Sequence, residues 1–222
     1  MQTHLSLPYG HDTDLPEGHI DEIRTPPVLI ERFLAEYTDT GDRVFDPFGG
    51  YGTTLAVAED LDRVACGLEY EPERVELIRD RLENPEHVRQ GDVLDFDPES
   101  FPSCEFAFTS PPFMTQDMET NPFENYEGQS SYDAYLDDAE RAFELVADVL
   151  EPGGRLVVDV VNLKHEGRVT PLAWDLADQI SNVISFEGEI VVSWVGDGPE
   201  DTPGSYGYGY DHSYCLVFDS EA

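Results

Sequence analysis

Apolar positions along this chain switch repeatedly between two spacings. Short apolar runs closed by Gly, Asp or Glu alternate with stretches in which apolar residues recur every three or four positions. Arg43–Asp46, Val64–Leu68, His87–Asp92, Glu105–Phe108 and Arg155–Val161 read as strands. Between them, Leu29, Ile30, Phe33 and Leu34 share one helical face, and Val75, Ile78 and Leu82 another. Tyr135, Leu136, Ala139, Phe143, Val146 and Leu150 trace a longer helix, which Pro152-Gly153-Gly154 breaks. Thr53–Asp60 and Pro171–Val183 complete the helices, and Ile190–Val195 and Tyr214–Phe218 follow as two strands with no helix between them. This alternation, closed by a β-β pair, predicts an α/β fold with a mostly parallel sheet and an antiparallel last strand. Residues 1–24, 114–131 and 196–213 have no period and are rich in turn residues. The first of these reads as an irregular N-terminal arm ahead of a single domain over 25–222.

The chemistry gathers at strand ends. Asp46-Pro47-Phe48-Gly49-Gly50-Tyr51-Gly52-Thr53-Thr54 lies between a strand and a helix. Glycines there admit positive φ and let a ligand approach the backbone, and the helix start offers unpaired N–H groups. Such a turn at the carboxyl end of a parallel strand is a nucleotide-type site. The third glycine of the dinucleotide fingerprint is missing and Asp46 would repel a pyrophosphate, which disfavours a nicotinamide-binding protein. An acid there suits a cation, and S-adenosylmethionine (SAM) carries a sulfonium and an α-ammonium. Glu69, 17 residues beyond Gly52, ends the next strand, where a carboxylate can accept both hydroxyls of a ribose. Thr109-Ser110-Pro111-Pro112-Phe113 leaves the fourth strand. Its prolines fix the backbone and remove two donors, so the carbonyl between them can accept from a substrate amine.

Together these two stretches resemble the signatures of the SAM-dependent DNA amino-methyltransferases, which methylate N4 of cytosine or N6 of adenine. The resemblance implies the seven-stranded, Rossmann-like methyltransferase fold and SAM as cofactor. It implies cofactor contacts from Asp46, Phe48, Gly50, Gly52, Thr53, Thr54 and Glu69. It adds Thr25 and Pro26, in a loosely matching Pro-x-x-Leu helix start, and Asp92 at the adenine amino group with Val93 against the ring. Read by residue type alone, Thr25 is an N-cap and Pro26 the first helical residue. The implied catalytic set is Ser110, Pro111, Pro112 and Phe113. The Ser110 hydroxyl and Pro111 carbonyl would take the two N–H groups of the amine, and Phe113 would stack on a flipped or single-stranded base. Serine as first residue of that motif tilts the expectation toward cytosine N4. Residues 114–131 then read as a substrate-facing loop, and the Gly/Tyr stretch 196–213 as a hairpin connection or a base-stacking surface. Members of this group usually carry a large recognition segment, and only 1–24, 114–131 and 196–213 are available for one here. A separate recognition subunit or a homodimer is therefore expected. An RNA base N-methyltransferase and a non-catalytic SAM-binding subunit are the alternatives.

Charge adds a condition. Forty-eight acids face twelve bases, of which Lys164 is the one lysine, for a formal net charge of −36. With 40% hydrophobic residues the chain can still build a core. Such acidity resembles the surfaces of salt-loving archaeal proteins, whose self-repulsion is screened in molar salt, where the Debye length is about 3 Å. Folding is expected to need salt. DNA, favoured over RNA, is possible as a partner under those conditions and opposed in dilute buffer. Cys66, Cys104 and Cys215 are far apart in apolar stretches and read as buried small side chains. The histidines show no ligand spacing, so no metal is expected. No apolar run approaches the roughly 20 residues of a membrane span. Met1–Leu5 lacks the features of a signal peptide, and a cytoplasmic location is the expectation.

Overall fold

A computed structural model describes residues 2–10, 24–165, 167–195 and 212–220. In chain order the elements are β1 (His4–Pro8), α1 (Pro27–Tyr37), β2 (Arg43–Asp46), α2 (Thr53–Asp60), β3 (Val64–Glu69), α3 (Pro72–Arg81), β4 (Val88–Gln90) and β5 (Cys104–Thr109). There follow α4 (Tyr132–Val149), β6 (Leu150–Val160), β7 (Leu163–His165), β8 (Arg168–Thr170), α5 (Leu172–Ile180), β9 (Ser185–Val195) and β10 (His212–Asp219).

Strand residues alternate between two cores because successive side chains leave opposite faces of a sheet. Val44, Phe106, Phe108 and Val157 bury with α1, α2 and α3. Their neighbours Phe45, Ala107, Leu156 and Val158 bury with α4 and α5. The apolar stripe of α1 (Leu29, Ile30, Phe33, Leu34) is wholly buried, as is that of α4 through Tyr135, Ala139, Phe143 and Val146. Burial of each large side chain contributes about 1.5–3 kcal/mol, so these faces dominate the packing of both layers.

The strand order is β1-β9-β10-β6-β5-β2-β3-β4. β2 pairs in parallel with β3 on one side and β5 on the other. The chain reverses its direction of winding there, and the carboxyl ends of the two strands diverge into a crevice. β10 runs antiparallel to both β6 and β9, as the closing β-β pair requires.

Several expectations change. The sheet has an eighth strand, because residues 4–8 of the arm are not irregular: β1 pairs in parallel with β9, Leu5 opposite Val192. Its signal is only Leu5 and Leu7 on one face, too short a pattern to read without the partner that supplies the hydrogen bonds. Thr25 is not the cap of α1. Pro26 occupies the N-cap, with no side-chain cap bond, and Pro27 is the first helical residue. β6 begins at Leu150, so the Pro-Gly-Gly break lies inside a strand with a shifted register against β5. The small antiparallel pair β7–β8 has no counterpart in the apolar pattern. Of the Gly/Tyr stretch, residues 196–211 lie outside the described residues, and His212 and Ser213 open β10. All three cysteines are buried and free. Among the described residues no helix is long and apolar enough to cross a membrane, and no group of side chains could hold a metal.

The excess of acids over bases is not offset by ion pairing, since twelve bases cannot partner forty-eight acids. We therefore expect the thermal midpoint to rise with KCl over the molar range, as screening shortens from about 10 Å at 0.1 M to about 3 Å at 1 M. A midpoint indifferent to KCl in a melting series would refute the halophile reading.

Candidate active site

The glycine turn follows β2 and the Ser-Pro-Pro-Phe motif follows β5, so parallel pairing of these strands brings both to one crevice. Phe45 lies opposite Ala107. One residue beyond Phe45, Asp46 Oδ1 accepts from the Thr109 hydroxyl at 2.7 Å. A cavity of about 370 Å³ opens there, within the range of small-molecule sites. Its walls include Thr25, Asp46, Phe48, Gly50, Thr53 and Thr54, then Glu69 and Asp92, then all four residues Ser110 to Phe113.

Asp46 is 4% exposed. Its Oδ1 also accepts the Phe48 N–H at 3.1 Å, and the Thr54 hydroxyl bonds the same carboxylate. Burial outweighs these three donors and raises its pKa from 3.8 to about 6. Glu69 is 7% exposed. Its Oε2 accepts the Gly50 N–H at 2.7 Å and its Oε1 the Glu71 N–H at 2.8 Å, so it pins the glycine turn to the end of β3. Burial raises its pKa as well. The turn needs its glycines: Gly50 and Gly52 have φ of 53° and 77°. A Cβ on Gly52 would also stand 2.9 Å from Ile78 Cγ1. Gly52 thus acts by packing and, with Pro26, does not reach the cavity.

Thr25 does reach it, and its hydroxyl donates to Asp159 Oδ2 on β6 at 3.2 Å. Asp159 is 1% exposed and bridges the start of α1 to the sheet. A single acid in the run Val157–Val161 was the available signal for it. Asp92 Oδ1 accepts the Leu94 N–H at 2.9 Å, which turns the chain beyond β4, and Val93 lies beside it in the wall.

The segment 114–131 departs from expectation. Its middle folds back as a 3-10 turn over Pro122–Glu124, capped by buried Asn121 accepting from the Phe123 N–H. An Asn-Pro pair is a start signal for such a turn. Phe123 packs edge-on against Phe48 with ring centroids 5.7 Å apart, and Pro122, Phe123, Asn125 and Tyr126 complete the cavity wall. Asn125 Nδ2 lies 3.5 Å from Asp92 Oδ2. Asn125 and Tyr126 both adopt left-handed φ, 55° and 61°, a strained choice for tyrosine. This part of the loop therefore closes the cavity on the side of Phe48 and Asp92.

In the Ser-Pro-Pro-Phe motif, Ser110 is exposed. The buried Tyr135 hydroxyl donates to the Pro112 carbonyl at 3.0 Å. That bond occupies the second proline carbonyl, while no described backbone N–H donates to the first, at Pro111. Tyr135→Phe should lower stability by about 1–2 kcal/mol, the cost of orphaning a buried acceptor. It should also slow turnover several-fold with SAM affinity unchanged. Unaltered turnover in that variant would mean that Tyr135 does not position the motif.

The residues present fit SAM. Two buried carboxylates at the ends of adjacent strands give the cavity an acidic floor, walled by the positive-φ glycine turn and the first turn of α2. Asp46, with a pKa raised by its own burial, gains from a cation beside it.

Residues 8–80 match the N6_N4_Mtase family, DNA methylase. The chain is similar to the type II methyltransferase M.BamHI of Bacillus amyloliquefaciens, 39% identical over 77 residues, which are 34% of this chain and 18% of that protein. It is similar to M2.DpnII of Streptococcus pneumoniae, 43% identical over 58 residues, 26% of this chain and 22% of that protein. The matched segment thus spans about a fifth of the length of these curated relatives. In fold it is similar to TrmN from Thermus thermophilus, with a TM-score of 0.58, 18% identity and coverage of 87% of this chain and 48% of that one. A methyltransferase from Pyrococcus furiosus gives a TM-score of 0.58 at 16% identity, over 96% of this chain and 91% of that one. The family resemblance and the Rossmann-like methyltransferase fold are both borne out.

Proposed function

We propose that this amino-methyltransferase relative transfers a methyl group from SAM to an exocyclic amine of a base in DNA, with N4 of cytosine ahead of N6 of adenine. The observation that carries the reading is the hydrogen bond from Thr109 to Asp46. It fastens the end of the cofactor strand to the residue preceding Ser110, so the acidic floor and the amine acceptors share one cavity.

When bound, the cofactor supplies an electrophilic sulfonium methyl. The chain's own residues prepare the nucleophile. An exocyclic amine is a poor nucleophile because its lone pair is delocalised into the ring. The Ser110 hydroxyl and the Pro111 carbonyl accept its two N–H groups and favour a tetrahedral nitrogen, a preorganised arrangement that needs no prior deprotonation. Tyr135 and Phe123 fix the motif and the facing wall, and Phe113 offers a ring for the extruded base. Serine at the first motif position supports cytosine.

Incubation in high salt with methyl-labelled SAM and separate DNA and RNA pools, followed by nucleoside mass spectrometry, tests this reading. N4-methylcytosine in DNA is the expected product. N6-methyladenine would reassign the base and leave the acceptor arrangement standing. Label confined to RNA would favour the RNA alternative, and SAM binding without transfer to either pool would favour a non-catalytic subunit.

A further inference from the structure

The charge count and the hydrogen-bond pattern together single out one small element. Of twelve lysines and arginines, nine are engaged by carboxylates, backbone carbonyls, hydroxyls or rings, as Arg43 is by Glu105 and Arg155 by Asp219 and the Tyr37 ring, and Arg24 is engaged as well. Among the described residues, the two without any acceptor are Lys164 and Arg168. Both are exposed, and both stand on the β7–β8 hairpin. Lys164 pairs across the ribbon with Val169, and Arg168 with His165. Successive positions leave opposite faces, so the cations flank the tip on both sides.

The hairpin is placed at the catalytic edge. β6 runs parallel to β5, and its exit at Val160 lies at the same sheet edge as Ser110. The Gln116 N–H donates to Thr170 Oγ1 at 3.1 Å, and His165 Nδ1 lies 3.1 Å from Asp117 Oδ2. These bonds seat the hairpin on the segment that directly follows Phe113. Leu163, 0% exposed, anchors its base. Beyond β8, Trp174 in the first turn of α5 is 44% exposed and packs against Tyr214 with centroids 5.0 Å apart.

We propose that the β7–β8 hairpin is the DNA-backbone contact of this protein, with Lys164 and Arg168 on phosphates next to the base presented to Ser110 and Trp174 against an adjacent sugar or base. The proposal rests on the DNA reading above and adds where the polyanion is held. A surface of net charge −36 repels DNA, so association depends on local cations where phosphates come closest. Cations already held by carboxylates contribute little to this. Two unpaired ones on a two-stranded ribbon, a point charge and a planar fork, are suited to phosphate oxygens.

The test is fluorescence anisotropy of a fluorescein-labelled DNA oligonucleotide across a KCl series, alongside methylation kinetics. Lys164→Ala/Arg168→Ala should weaken DNA binding by on the order of tenfold and flatten the plot of log affinity against log salt by about two, roughly one unit for each phosphate no longer neutralised. The KM for DNA should rise while kcat and SAM affinity hold. Lys164→Arg/Arg168→Lys should behave as wild type. Arg32→Ala, which removes a cation from α1, should leave the slope unchanged. Hairpin-dependent DNA binding without methyl transfer would defeat the catalytic reading and leave this one standing. Methyl transfer with an unaltered KM and salt slope in the double alanine variant would overturn the hairpin and leave the catalytic reading intact. Failure of the wild type to bind DNA, or hairpin-dependent binding of labelled RNA alone, would also overturn it.

Discussion

Asp46→Asn should stabilise the ligand-free protein and at the same time weaken SAM binding by on the order of a hundredfold, the scale of removing a buried charge partner. Both effects follow from one number. Burial raises the Asp46 pKa from 3.8 to about 6. At about 1.4 kcal/mol per pKa unit, holding it ionised at pH 7 therefore costs the empty fold about 3 kcal/mol. Asparagine keeps an oxygen for Thr109 and the Phe48 N–H, and its amide can donate to a rotated Thr54 hydroxyl. The variant thus loses the charge and little else. The pH dependence has a definite sign. A carboxyl whose pKa is raised on folding favours the fold below its unfolded pKa, and that advantage disappears as pH rises from about 4 through about 6. The variant's gain in thermal midpoint should therefore be full at pH 7 and vanish near pH 4, where the wild-type carboxyl is neutral in the fold and close to neutral in the unfolded chain. Wild-type SAM affinity should be flat from about pH 7 upward and fall through about pH 6, as Asp46 takes up a proton. Calorimetry and melting curves across pH 4–8 check both halves. Wild-type SAM affinity in Asp46→Asn would overturn the cofactor assignment.

Ser110→Ala should slow methyl transfer by on the order of 10²-fold with SAM affinity and fold unchanged, the usual cost of removing one preorganised acceptor. The side chain is exposed at the end of β5, so its removal opens no core cavity. The Pro111 carbonyl remains, since the backbone through Pro111 and Pro112 is held by the proline rings and by Tyr135. Residual activity well above background is therefore expected, and single-turnover kinetics separates the loss from any change in DNA binding. Turnover equal to wild type would show that the amine is not activated by this motif. Paired with the hairpin variant, the result also separates chemistry from capture. Ser110→Ala should act on kcat, and Lys164→Ala/Arg168→Ala on KM.

The strand and helix order, the antiparallel ending and both strand-end motifs could be read from the sequence because each rests on a local cause. Period-2 and period-3.6 apolar patterns fix element type. Glycines and prolines fix turns wherever they stand, and Asp46, Glu69, Asp92 and Ser110–Phe113 sit at strand ends that local pattern predicts. What depended on partners far along the chain could not be read. β1 exists because β9 offers an edge. Thr25 leaves its capping role for a carboxylate 134 residues away on β6. Pro122–Tyr126 turns into the cavity wall because Phe123 finds Phe48 and Asn125 finds Asp92. Gly52 belongs to a binding motif by sequence, yet its hydrogen is required by Ile78. Local pattern and composition suffice to make the protein acidic and α/β and to put the glycine turn and the Ser-Pro-Pro-Phe motif at strand ends. Three outcomes needed the folded chain: that these two motifs meet, that Asp46 is buried deeply enough to raise its pKa to about 6, and that the β7–β8 hairpin is seated on the segment after Phe113. Each depends on which strands become neighbours, and long-range packing, not local pattern, selects those neighbours.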